Sequence, residues 1–78
     1  MPPTVIIAET YEQYERICTK HGLDQKDRKQ AIPLVMWTDK YRLYGRDLKG
    51  SKVLRIGNIH PEFLKTVKRE LQKSGWGK

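Results

Sequence analysis

The side chains best suited to chemistry lie between residues 40 and 55. Lys40-Tyr41-Arg42-Leu43-Tyr44-Gly45-Arg46 interleaves cations with aromatic rings, and Lys49, Lys52 and Arg55 follow. Ammonium and guanidinium groups neutralise phosphates while tyrosine rings stack on bases, so this composition suits nucleic acid held without sequence preference. A plainer cause gives the same pattern: Tyr41, Leu43 and Tyr44 pack over a core while the long cationic chains reach for water. A second cationic series, Lys65, Lys68, Arg69 and Lys73, recurs with helical spacing near the end of the chain. The binding signal strengthens if both series share one side of the molecule.

The charge distribution points the same way. The net charge is +7, yet residues 1–24 hold two basic and four acidic side chains, while residues 25–52 hold eight basic and three acidic ones. Basic character concentrated in the last two thirds favours an anionic partner.

Other chemistries find less support. Cys18 and His21 are three residues apart on one helical face, with His60 as a distant third metal-ligand candidate, a poor set for a metal. Cys18 follows three glutamates and has apolar neighbours, a setting that works against a reactive thiolate. Glu9, Glu12 and Glu15 read as solvated charges opening a helix rather than as an acid–base pair. Neither G-x-x-x-x-G-K-[ST] nor G-x-G-x-x-G occurs, and Gly45, Gly50 and Gly57 are too dispersed to cradle a phosphate. The expectation is a non-enzymatic protein with no cofactor and no metal.

The elements that must position these residues can be read in order. Thr4-Val5-Ile6-Ile7-Ala8 is apolar on both faces, which predicts a strand in the middle of a small sheet. Thr10 with Gln13 forms a capping-box pattern, Tyr14, Ile17, Cys18 and His21 keep helical spacing with Tyr11 able to join them, and Gly22-Leu23 suits a Schellman ending. A helix is predicted over 11–21. Residues 24–30 are wholly polar and predict a solvated connection or one loose helical turn. Ile32 to Trp37 predicts a second strand, with Pro33 at its start or on an edge. Thr38-Asp39 offers a cap for one short turn through Tyr41, Leu43 and Tyr44. Lys52 to Ile56 is the third strand. His60-Pro61-Glu62 opens a last helix with Phe63, Leu64, Val67 and Leu71 as its buried stripe and Gly75 as its stop. Trp76, beyond that stop, either folds back onto the core, the favoured reading, or stays free for a partner.

This β-α-β-β-α order predicts an α/β fold: a three-stranded parallel sheet in order 2-1-3, flanked by two main helices. The rival is an α+β fold in which 41–57 forms a hairpin, as in a double-stranded-RNA-binding domain. In open α/β sheets ligands collect beyond the carboxyl ends of the strands, here Glu9-Thr10, Thr38-Asp39 and Gly57-Asn58, although caps and turns explain these residues more simply.

Length and composition set the frame. Residues 1–78 make one small domain with little room for a deep pocket. A single cysteine permits no internal disulfide, and no apolar run approaches the roughly twenty residues of a membrane span. A cytoplasmic protein that does not enter membranes is expected.

The segment from Val5-Ile6-Ile7-Ala8 through Tyr14 and Cys18 to Gly22-Leu23, then Thr38-Asp39, Arg42-Leu43-Tyr44-Gly45 and Val53-Leu54-Arg55-Ile56-Gly57, resembles small uncharacterised proteins from bacteriophages of actinobacteria. That resemblance implies a phage origin, an accessory role in the host cytoplasm and an α/β fold. It brings no activity with it. The leading expectation is nucleic-acid binding through Lys40, Tyr41, Arg42, Arg46, Lys49, Lys52 and Arg55. The alternative is a module that engages a host protein through an open sheet edge, with Tyr44 or Trp76 as anchors. A monomer or a weak homodimer through a sheet edge fits either expectation.

Overall fold

The computed structural model of the chain describes residues 2–77. Its elements are β1 (Thr4–Ala8), α1 (Tyr11–Lys20), β2 (Ala31–Leu34), a 3-10 helix (Trp37–Leu43), β3 (Val53–Ile56) and α2 (Pro61–Lys73). The three strands form one sheet in order β2-β1-β3, and both pairings are parallel. The α/β reading therefore holds. The hairpin rival does not: Tyr41 to Leu43 belong to the 3-10 helix, and β3 pairs with β1 alone.

β1 is central because it can be buried on both faces. Val5 and Ile7 join Ile32, Leu34, Leu43, Leu48, Phe63, Val67 and Leu71 on the α2 side. Ile6 and Ala8 join Tyr14, Cys18 and Ala31 on the α1 side. The strand order explains why there are two sides. The β1-to-β2 and β2-to-β3 crossovers run in opposite directions, so crossovers of one hand must cover opposite faces. A continuous apolar run is thus required at β1, and alternation would have failed there.

Local signals fix the helix ends. Thr10 Oγ1 accepts the Gln13 amide at 3.2 Å, while Gln13 Oε1 accepts the Glu9 amide, one residue earlier than in a standard capping box. α1 closes as a Schellman motif: the Leu23 amide donates to Cys18 O at 2.8 Å and the Gly22 amide to Thr19 O at 3.3 Å. α2 repeats the motif, with the Trp76 amide donating to Leu71 O and the Gly75 amide to Gln72 O, both at 3.1 Å, and Gly75 at φ +94°. The apolar residue after such a glycine is turned back toward the last helical turn. Trp76 accordingly packs on the core, and its Nε1–H donates to Ser51 O at 3.1 Å.

Two expected elements change by more than one residue. β2 ends at Leu34 rather than running to Trp37, because the Val35 and Met36 amides leave the ladder and donate to the Asp39 carboxylate. The single short turn expected after it is a seven-residue 3-10 helix. No helix among the described residues is long and apolar enough to cross a membrane.

Candidate functional site

Asp39 organises the surface that carries most of the candidate residues. Its side chain is almost fully enclosed, and four donors converge on it. Oδ2 accepts the Tyr11 hydroxyl at 2.7 Å, the Met36 amide at 2.9 Å and the Val35 amide at 3.0 Å; Oδ1 accepts Arg42 Nε at 2.9 Å. Burial alone would push the carboxyl up. The Met36 amide, Tyr11 hydroxyl, Val35 amide and Arg42 guanidinium together outweigh it and hold the group below its usual value. The same contacts raise Tyr11, through burial first and the neighbouring carboxylate second, and raise Arg42 through its bond to Asp39. The carboxylate thus ties the start of α1 to the 3-10 helix and stops β2.

The arginines are pinned rather than loose. Arg46 Nε donates to Arg42 O at 2.8 Å and Arg46 Nη1 to Arg28 O at 3.2 Å, drawing the 28–30 segment and its Arg28 and Lys29 against the 3-10 helix. Arg28 Nη1 in turn donates to Gln25 O at 2.6 Å. Between these anchors the aromatic side chains stand out in solvent: Tyr41 is 58% exposed and Tyr44 55%. Their rings meet edge to face at 5.4 Å, and the Lys40 ammonium lies 5.5 Å from the Tyr41 ring centre. Of the three residues expected to cover a core here, only Leu43 does so.

Of the seven candidate nucleic-acid contacts, the structure gathers Lys40, Tyr41, Arg42 and Arg46 beside β2. Lys52, just before β3, and Arg55, within it, lie on the far side of β1 and are exposed there singly. Lys49 lies in the turn between, its amide donating to Asp47 Oδ1. The uninterrupted 40–55 surface expected from the sequence is therefore two surfaces, because order β2-β1-β3 sends the two halves of the segment to opposite edges. Lys65, Lys68, Arg69 and Lys73 are exposed on α2, with Lys73 paired to Glu70 at 3.5 Å. Of the two anchors proposed for a protein partner, Tyr44 is free and Trp76 is committed to the core.

The side chains considered for other chemistry are dispersed. Cys18 is 1% exposed, and burial pushes its thiol up, while His21 and His60 sit at opposite ends of the fold as caps of α1 and α2. Among the described residues no group of three or more His, Cys, Asp or Glu side chains is arranged to hold a metal ion.

Sequence reasoning misses the roles of four residues. It finds in Asp39 only a cap and in Tyr11 only an addition to the apolar stripe. Met36 and Trp37, expected within a strand, are instead 56% and 52% exposed at the start of the 3-10 helix. The Asp39–Arg42 spacing of three residues was a local sign of the ion pair; nothing local announces Tyr11, twenty-eight residues away.

Compared with known proteins, the chain matches no protein-family model, no curated protein and no solved structure.

Proposed function

We propose that this is a non-enzymatic module that holds nucleic acid, without sequence preference, on the surface of Lys40, Tyr41, Arg42, Tyr44 and Arg46. The observation that carries the reading is the half-exposed Tyr41–Tyr44 pair set among a lysine and two hydrogen-bonded arginines. Arg42 spends one N–H on Asp39 and Arg46 spends two on carbonyls, which leaves the remaining donors of each fork for phosphate oxygens. A guanidinium already held in place loses less freedom when it binds. The exposed rings offer platforms for unpaired bases. Arg28 and Lys29 extend the cationic rim, whereas Lys52 and Arg55 lie outside it.

The test is fluorescence anisotropy with labelled single- and double-stranded DNA and RNA at about 50 and about 200 mM salt. Binding should weaken several-fold with salt and fall with Lys40→Glu or Arg46→Glu. No binding at the lower salt sinks the reading.

A second reading has its own support. Met36 and Trp37 extend the exposed patch, and Trp, Tyr, Met and Arg are the residues enriched at protein interfaces. The resemblance to phage proteins would make the partner a host protein. Binding of that kind would be lost with Trp37→Ala or Tyr44→Ala and would depend little on salt.

A further inference from the structure

We propose that the cleft at the carboxyl ends of β1 and β3 is a binding site for an organic cation, an alkylammonium or guanidinium group. The site is separate from the surface assigned to nucleic acid and opposite to it in charge preference. It lies where the chain leaves β1 for α1 on one face and leaves β3 for α2 on the other. The strand ends diverge at that point and open a crevice of about 240 Å³, enough for one such group.

The walls suit a cation. Val35, Ile59 and Phe63 supply apolar surface, and Trp37 stands edge to face with Phe63, centroids 5.1 Å apart and planes at 81°. The half-exposed Trp37 ring is the one that can meet a cation, and Phe63, a core residue, backs it. The carboxylate of Glu9 completes the cleft. It is not a loose surface charge: Oε1 accepts the Asn58 amide at 2.6 Å, and the Glu9 amide is itself held by Gln13 Oε1. Gly57, at φ +84°, lies against this side chain, and a Cβ there would overlap the carboxylate, so the backbone is shaped to seat it. The second carboxylate oxygen is left for a ligand. Side-chain charge in the lining favours a cation, against the partial positive charge of the α1 and α2 amino termini that open here. Three other surface clefts each include lysine or arginine, from Lys52, from Lys29 and Arg46, or from Arg16 and Lys20. Among the described residues this one includes neither, and His60 at its rim accepts the Glu62 amide through Nδ1. In a chain of net charge +7, a cleft with an exposed indole, a fixed carboxylate and, among the described residues, no lysine or arginine suits the opposite kind of ligand from the rest of the surface.

The experiment is a ¹H–¹⁵N NMR titration with tetramethylammonium, with neopentyl alcohol as its uncharged counterpart and sodium chloride as the ionic-strength control. The reporters are the Gly57 and Asn58 amides and the Trp37 indole N–H. Saturable shifts at these three signals, with tetramethylammonium alone and in the millimolar range, support the site. Glu9→Gln keeps an oxygen for the Asn58 amide and should weaken binding about tenfold; Trp37→Leu keeps apolar bulk and should weaken it several-fold. A parallel titration with end-blocked Gly-Lys-Gly and Gly-Arg-Gly separates the sources. Tighter binding of a peptide identifies the ligand as a partner's side chain, and tighter binding of the free cation identifies a small molecule. Shifts that never saturate, that neopentyl alcohol or sodium chloride reproduces, or that survive Glu9→Gln unchanged overturn the proposal.

Discussion

The two edges of the sheet use the same residue types for different work. Beside β2, whose four residues are all buried, arginines are threaded through hydrogen bonds to Asp39 and to the carbonyls of Arg28 and Arg42, and aromatic rings stand between them. Pro33 gives that edge no amide to offer. β3, by contrast, ends the sheet with Val53, Leu54 and Ile56 only half-buried, and Lys52 and Arg55 project singly into water. Ordered cations among rings are what the proposed nucleic-acid surface requires. Isolated cations on a short strand are a common guard against unwanted strand pairing. Positive charge alone therefore says little about function; what holds the charge says more.

The largest effect should come from removing the anchor of the ordered edge. Asp39→Ala leaves two amides, a hydroxyl and a guanidinium without their common acceptor and should cost about 3 kcal/mol, read as a lower urea midpoint. A domain of this size has roughly 5–10 kcal/mol in all, so the loss is severe. Arg55→Ala, on the open edge, should stay within about 0.5 kcal/mol. If the two variants lose equal stability, the contrast between the edges collapses. The same anchor sets an acid dependence. The carboxyl of Asp39 is held below its usual value in the folded protein, so its stabilisation is complete above the unfolded carboxyl's pKa. It drains away as pH falls from about 4 through the lower folded value. Asp39→Asn should be less stable near neutrality and should lose less on acidification.

Next in size is the effect on binding. Lys40→Glu with Arg46→Glu should reduce affinity for single-stranded nucleic acid more than tenfold and flatten its salt dependence. Lys52→Glu with Arg55→Glu makes the same change in net charge on the other edge and should cost only a few-fold. Anisotropy titrations of the two double variants at one salt concentration measure the difference directly. Equal losses would mean that the probe senses net charge and that the arrangement beside β2 is irrelevant.

A smaller effect belongs to the open edge alone. Lys52→Val with Arg55→Val removes its charged guards and should produce weak, concentration-dependent self-association in sedimentation velocity. Lys40→Val with Arg46→Val should not, since the 3-10 helix and Pro33 still block pairing at β2.

How much of this was legible depended on distance along the chain. The central strand, both helices and their ends follow from neighbours in sequence: the double-faced apolar run 4–8, Thr10 with Gln13, Gly22-Leu23, and Pro61. Even the fate of Trp76 was written locally, for Gly75-Trp76 repeats the glycine-plus-apolar pair of Gly22-Leu23, and both close a helix in the same way. The short turn after β2 was legible but not its length or its start at Trp37, because their cause is a carboxylate that gathers the amides of a strand just ended and a tyrosine from another helix. Nor was the division of the cations. Lys40 and Lys52 are close in sequence, and only the strand order, with β1 placed between them, sets them on opposite edges. The crevice needed the same knowledge, since Glu9 and Asn58 meet only once β1 and β3 are neighbours.

The smallest expected effect concerns how well the open edge is finished at its start. Ser51, two residues before β3, is buried, its amide donates to Leu48 O at 3.0 Å and its carbonyl accepts the Trp76 indole at 3.1 Å, but its Oγ has no hydrogen-bond partner among the described residues. A buried hydroxyl that pairs with nothing costs its desolvation and returns nothing. Ser51→Ala keeps both backbone bonds, removes only that atom, and should raise stability by up to about 1 kcal/mol in urea unfolding. The sign separates two accounts of this edge. A gain means that the approach to β3 carries a polar defect that the Asp39 edge, with each of its four donors satisfied, does not. A loss means that the hydroxyl is bonded in solution, for which a bridging water is the available partner, and the two edges are then equally well finished inside and differ only in what they expose.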